Sequence, residues 1–252
     1  MTCPCREFAP CRREWQLRRT FNFQPATGHS YTSRVTVLGY IILALCAYLL
    51  GSIPTGYLVA RAKGIDIRTV GSGNIGATNA FRVLGKPAGV FVLLMDALKG
   101  FAACTWMTDA LLRAFDLPLE HAITERAVAG FCAILGHSFT CWLRFKGGKG
   151  IATSAGVYFA VALPAAAIAL GSWVIFFVAT RYVSVASIVA AVALPAGVWA
   201  TIGAHHSVAL GIATTALGAM VIWKHRSNIA RLKAGTENRI VFAKRASDGG
   251  KS

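Results

Sequence analysis

Three polar segments carry the residues that can do chemistry, and each is built for anions. The first, residues 64–89, reads GIDIRTVGSGNIGATNAFRVLGKPAG. Gly71, Gly73 and Gly76 let backbone N–H groups turn toward one point. Ser72, Asn74, Thr78 and Asn79 add side-chain donors, and Arg82 brings a guanidinium fork suited to phosphate. A glycine-rich connecting loop would share much of this composition. The spacing fits neither a P-loop, since no lysine follows the last glycine, nor a Rossmann turn, since no strand and crossover helix flank it. The second segment, residues 136–154, reads GHSFTCWLRFKGGKGIATS. Lys146, Gly147, Gly148, Lys149 and Gly150 form a basic nest just before an apolar run, and a helix start behind such a nest has free N–H groups and the positive end of a dipole. Two lysines anchoring a helix end are the plainer reading, but the glycines between them favour close backbone approach. The third, residues 223–240, reads WKHRSNIARLKAGTENRI. If a helix continues through it, His225 and Asn228 lie at i and i+3 on one face, with Arg231 and Leu232 extending the pattern. Arg226, Lys233 and Arg239 suit lipid headgroups.

What is missing narrows the chemistry. An aspartate five residues after a histidine would mark a common acyltransferase centre, but His137 is followed there by Trp142 and His225 by Ala230. No carboxylate and histidine cluster suits a metal, and the seven cysteines contain no C-x-x-C pair. Neither a metal nor a cofactor is expected. Asp66 and Glu237 stand near arginines and read as structural partners, and Asp96 opens the polar end DALKG of an apolar run.

The elements that must position these segments are apolar. The 252 residues are 55% hydrophobic and only 14% charged, against about a quarter charged in soluble domains, and the mean hydropathy is +0.55. A soluble enzyme, a disordered chain and a disulfide scaffold are excluded as classes. The net charge of +16 collects in short segments between apolar runs, as it does in loops facing anionic cytoplasmic lipid, so membrane lipids rather than nucleic acid are its partners. The reading is all-α: a polytopic integral membrane helical bundle in one domain. Residues 1–34 are a polar, Arg-rich extension expected to be disordered, 35–240 the membrane domain, and 241–252 a flexible tail. Apolar runs cover 35–60, with Pro54 kinking the first, then 88–107 and 127–143, and 151–223 holds one charged residue, Arg181.

Charge gives orientation. Residues 61–86 hold five basic and one acidic side chain, whereas 109–126 hold four acidic and two basic, placing the former in the cytoplasm and the latter outside. The segment RFKGGKG and the basic tail then also face inward, which demands an even number of crossings between 151 and 223. Hydropathy shows about three blocks there, so either one is re-entrant, giving about five spans, or the first folds at 164–167 into two short helices, giving about seven. Both put the amino terminus outside, against the six arginines that precede the first span.

In their order along roughly 48–240, GSIPTGYL, GSGNIGATNAFRVLGKPAG, LLMDALKG, GHSF, FKGGKGIAT, RYVSVASI and KHRSNIARLKAGTE resemble the bacterial acyl-phosphate:glycerol-3-phosphate acyltransferase family. The resemblance implies a seven-helix enzyme of the bacterial cell membrane, its active site facing the cytoplasm. It implies transfer of an acyl group from acyl phosphate to the 1-hydroxyl of glycerol 3-phosphate, giving lysophosphatidic acid and inorganic phosphate, the first step of phospholipid synthesis. By the same resemblance, Ser72 to Arg82 line the donor phosphate and offer Arg82 to glycerol 3-phosphate. Lys149, within Lys146 to Gly150, meets a substrate phosphate, Ser184 or Ser187 approaches the acceptor, and His225 and Asn228 are the catalytic pair. Thr140 stands where the family commonly has proline, and the extension has no family counterpart. Acyl phosphate is a mixed anhydride, so no covalent enzyme intermediate is needed. Either His225 or the donor phosphate can take the hydroxyl proton. An anion transporter using an intramembrane Arg181 is the alternative from another class, disfavoured by polar determinants gathered on one side.

Overall fold

The computed structural model describes residues 28–115, 122–201 and 208–240, and every regular element among them is helical. Most of the expected extension (1–27), the tip of the acidic loop, His205, His206 and the tail 241–252 lie outside the described residues.

Helix α1, Gly28–Ser52, reaches back beyond Val35, because HSYTSR contains no proline and the helical ladder runs on through polar residues. Ile53 and Pro54 break it from α2, Thr55–Arg61. The break takes Ser52 O and Ile53 O out of the helical ladder, Ile53 O accepts from Thr55 N at 3.0 Å, and side chains of neighbouring elements reach both. Thr140 Oγ1 donates to Ser52 O at 2.6 Å, and Lys99 Nζ donates to Ile53 O at 2.9 Å. Thr140 has φ −64°, a backbone that proline could share, but its hydroxyl supplies a bond proline could not.

The glycine-rich segment ends in a short helix, α3, Ala77–Leu84. Helix α4, Lys86–Ala102, takes Pro87 in its first turn and runs through a π-helical turn, Ala103–Met107, into α5, Thr108–Ala114. The second span therefore extends past Asp109. Helix α6 is Ala122–Ser138, followed by a 3-10 turn at Cys141–Leu143. Helices α7, Ile151–Val161, and α8, Leu163–Thr180, part at Ala162. The fold comes before 164–167 because a proline fits the first turn of a helix, so Pro164 opens α8 rather than bending it. Then follow α9, Val183–Ala200, α10, Val208–Lys224, and α11, Arg226–Lys233.

Among the described residues, four helices, α7 to α10, occupy 151–224. Four spans among the described residues are long and apolar enough to cross a membrane: Val37–Arg61, Lys86–Ala114, Leu163–Thr180 and Val183–Ala200. The bent pair α10 and α11 makes a fifth. Helix α6, with 17 residues, and α7, with 11, are shorter than the roughly 20 residues of an ordinary crossing.

Helix α1 packs along α6, α4 against α7, and α8 along α9. Small residues set the closeness, as expected where lipid gives no hydrophobic drive for association. A Cβ added at Gly156 would lie 1.8 Å from Ala97 O, and one at Gly100 2.3 Å from Thr153 O. Large apolar side chains such as Leu45, Ile175 and Val178 point outward instead, forming the face that lipid covers.

Candidate active site

All three polar segments meet at one end of the bundle, around a cavity of about 360 Å³. Ser72, Gly73 and Asn74 of the first segment line it, with Lys146, Gly147 and Lys149 of the second and Arg231 of the third.

The first loop is held by its own atoms. Ser72 N donates to Asn79 Oδ1 at 2.8 Å, and Asn79 Nδ2 donates to Ile67 O and Val70 O at 3.2 and 3.1 Å. Gly73 N donates to Val70 O at 3.0 Å and Gly76 N to Asn74 Oδ1 at 2.9 Å. The expected cluster of N–H groups aimed at a ligand is therefore largely spent on folding the loop. Asn79 is a buried brace of the loop, with its amide engaged by Ile67, Val70 and Ser72. Gly71, at φ +62°, is required beside it, since a Cβ there would fall 2.3 Å from Asn79 Oδ1. Thr78 and Arg82 are half-buried on α3. Burial lowers the pKa of the Arg82 guanidinium, Glu237 opposes the fall and Arg231 adds to it, which sets Arg82 within electrostatic reach of the third segment.

The second loop likewise docks on the protein. Gly147 N donates to Ser138 O at 3.3 Å and Gly148 N to His137 O at 3.0 Å, so the loop serves the last carbonyls of α6. A Cβ on Gly147 would meet His137 O at 2.1 Å, and one on Gly148 would meet His137 Nε2 at 2.2 Å. The close approach that the glycines allow is to α6. Gly150, at φ +84°, precedes α7 and rests near Ser138 and Ile134, and Lys146 and Lys149 line the cavity. Lys146 is exposed. Lys149 reaches inward and Nζ donates to Asn228 Oδ1. Burial brings the Lys149 ammonium down to about 8, against Glu237 and with help from Arg231 and Arg82.

The third segment is not one continuous helix. Helix α11 turns 51° away from α10, and His225 stands at the bend as the residue preceding α11. His225 and Asn228 are thus set by a hinge, not by i, i+3 spacing within one helix. Both are buried. His225 Nδ1 lies 2.8 Å from Val221 O, and a carbonyl can only accept, so Nδ1 carries the hydrogen and Nε2 keeps its lone pair. Burial brings the imidazole down to about 4, helped by Lys149 and opposed by the Val221 bond and Glu237. The ring is neutral near pH 7.

Glu237 is the residue that sequence reasoning left out of the site. Asn228 Nδ2 donates to its Oε1 and Arg231 Nε to its Oε2, both at 2.7 Å. Burial works to raise this carboxyl, but the bonds from Asn228 and Arg231, with Ser184 beside them, carry it below its ordinary value. The arginine neighbour was visible in the sequence. The turn at Gly235, φ +68°, which brings the carboxylate back over α11, left no pattern beyond the glycine itself. Ser184 and Ser187 separate clearly. Ser184 contributes to the Glu237 environment, whereas Ser187 Oγ accepts from Trp173 Nε1 at 3.2 Å and serves the α8 and α9 contact.

Lys224, Arg226 and Ser227 also line the cavity. Lys224 Nζ donates to Ser138 O at 2.6 Å and sits 4.0 Å above the Phe139 ring, and Arg226 stacks on Trp223 at 4.4 Å. Arg226 thus faces the site and not only headgroups. Arg181 is no midplane cation: it lies at the exposed corner between α8 and α9, where its carbonyl accepts from Ile240 N at 3.0 Å. No group of three metal-ligating side chains occurs among the described residues.

A family model described as glycerol-3-phosphate acyltransferase matches residues 41–235. The chain is 44% identical over 198 residues to the glycerol-3-phosphate acyltransferase of Geotalea daltonii, covering 79% of this chain and 96% of that one. It is 46% identical over 204 residues to the protein of that name from Synechococcus sp. JA-3-3Ab, covering 81% and 94%. Among solved structures, it is similar to PlsY (YgiH), an integral membrane glycerol 3-phosphate acyltransferase. The glycerol 3-phosphate form has a TM-score of 0.70 at 39% identity, with 80% of this chain and 96% of that chain covered. The lysophosphatidic acid form gives 0.68 at 38%, covering 80% and 95%.

Proposed function

The chain belongs to the glycerol-3-phosphate acyltransferase family, and from that premise we propose that this multi-pass membrane acyltransferase takes its acyl group from acyl phosphate. Glycerol 3-phosphate accepts it at the 1-hydroxyl, and lysophosphatidic acid and inorganic phosphate leave. We read about seven crossings, counting the short helices α6 and α7, with the cavity on the cytoplasmic side as the charge bias requires.

One observation carries this reading: Lys149, Asn228, Glu237 and Arg231 form an unbroken chain of polar contacts that joins the second and third segments beside the first. Both substrates are phosphates, and the cavity is ringed by cations with Glu237 as their buried counter-charge. Lys149, Arg82 and Arg231 would hold phosphate oxygens, with Lys146, Lys224 and Arg226 closing the ring. Holding two anions side by side is the main task, because the mixed anhydride is already activated. Ser72 and Asn74 would contact the donor, and Ser184 the glycerol backbone. The hydroxyl oxygen attacks the acyl carbon, the carbonyl becomes an oxyanion facing Asn228 and Lys149, and collapse expels phosphate. The neutral His225 accepts the hydroxyl proton at Nε2. Two bound phosphates would raise its proton affinity, so the base strengthens when the substrates arrive. The departing phosphate is the second acceptor for the same proton.

The test is direct. Purified protein given acyl phosphate and glycerol 3-phosphate should release inorganic phosphate and form lysophosphatidic acid, while acyl coenzyme A should not replace the donor. Equal turnover with the thioester would overturn the donor assignment.

A further inference from the structure

Asp96 and Lys99 on α4 and His137 near the end of α6 are all buried, yet none of them lines the cavity. Charges within a span are costly and are retained where they act. Lys99 Nζ stands 2.8 Å from Asp96 Oδ1 while it donates to Ile53 O at the proline break. His137 Nδ1 lies 3.6 Å from the same carboxylate oxygen, a distance for electrostatic contact but not for a hydrogen bond. The far edge of the imidazole touches the second loop: Gly148 has no room for a Cβ beside Nε2, and its N–H is bonded to the His137 carbonyl. One residue thus grips Gly148 from two sides, and its ring is backed by the Asp96–Lys99 pair.

We infer that Asp96, Lys99 and His137 are positioning residues for acyl transfer, a buried strut that runs from the break after Ser52 to the loop 146–150 and fixes where Lys149 Nζ meets Asn228 and the substrate phosphate. The inference rests on the reading of Lys149 as a phosphate ligand. The strut lies behind the loop and touches no substrate. Its neutral Asp–Lys core keeps one separation without water, and a shift of the loop by an ångström or less would misplace the lysine.

The experiment uses the full chain purified in detergent, with initial rates in glycerol 3-phosphate and a melting curve for each variant. Gly148→Ala should raise KM about tenfold with a smaller change in kcat, and His137→Ala should raise it less. The double variant should resemble His137→Ala alone, because removing the ring makes room for the new methyl group. Asp96→Leu/Lys99→Leu removes both charges together, which can leave stability unchanged, and should still raise KM. Multiplicative effects at Gly148 and His137 would overturn the strut, as would a wild-type KM in the folded Leu/Leu protein. If that protein does not insert, the Gly148 and His137 pair decides. Lys149→Ala is the separate arm: an unchanged KM there overturns the phosphate reading itself, whereas a raised KM there with multiplicative Gly148 and His137 effects overturns the strut alone.

Discussion

Two buried polar groups lie on either side of the loop 146–150, and they differ in how their charge is balanced. Behind the loop, Asp96 answers Lys99 one for one at 2.8 Å, and the pair is closed off from water. In front of it, Glu237 alone faces Lys149, Arg231 and Arg82, while Lys146, Lys224 and Arg226 look into the same cavity. In the balanced pair the two charges cancel. An unbalanced set of half-buried cations is costly until anions arrive, and that unmet charge is what a site for two phosphates requires. The same residue types therefore stand balanced on one side and unbalanced on the other, and under the proposed function the first are scaffold and the second ligands.

Breaking the balanced side should produce the largest effect. Lys99→Ala leaves Asp96 buried without its cation and should cost about 3 to 5 kcal/mol of stability, read as loss of folded protein in size-exclusion profiles and a collapsed melting temperature. Lys99 replaced together with Asp96 by apolar residues should recover most of that loss. A Lys99→Ala protein as stable as wild type would erase the contrast between the two groups.

On the unbalanced side the loss should appear in the chemistry. Asn228→Ala removes the link between Lys149 and Glu237 and should lower kcat by about 10² to 10³-fold with the fold intact. Steady-state rates beside an unchanged melting curve would check this. His225→Ala should behave similarly but less severely, since the departing phosphate remains as a proton acceptor.

Lys149→Ala should act on binding, with a charge-assisted contact of about 1.5 to 3 kcal/mol appearing as a 10- to 100-fold rise in KM for a phosphate substrate. The same lysine gives the pH dependence. Burial lowers its pKa to about 8, and only the protonated form attracts phosphate, so kcat/KM should fall as pH rises through about 8. Lys149→Arg should move that limb upward, because guanidinium stays charged. A limb that does not move would assign it to another group.

The smallest expected effect is none. Deleting residues 1–27 removes a polar stretch of sequence ahead of α1, and specific activity and insertion should not change.

The sequence made the cast of this site readable, because glycines, cations and the His225 and Asn228 pair stand in three short polar islands within apolar chain. The helices around them were readable as apolar runs, including the break at Pro54, whereas hydropathy alone left the number of crossings beyond Ile151 open. What could not be read was how much polar capacity the chain would use on itself. Asn79 looked like a ligand donor, yet its amide is filled by Ile67, Val70 and Ser72. The glycines of KGGKG looked like room for phosphate, yet the room is taken by His137. A sequence shows donors and gaps, and only three-dimensional proximity shows which are already occupied. Glu237 illustrates the reverse case, since Asn228 bonds to it from α11 and Ser184 of α9 adds to its environment, and no local spacing connects the two.

The bend between α10 and α11 couples backbone shape to proton location. At the bend, Val221 O receives His225 N at 3.1 Å and the imidazole Nδ1–H at 2.8 Å. The carbonyl that the turning helix offers is thus the one that selects the tautomer. Chain direction and the address of one hydrogen atom become a single variable: while the helix is bent, the free lone pair is at Nε2. A change that took Val221 O out of reach of the ring would release the tautomer without altering the histidine at all.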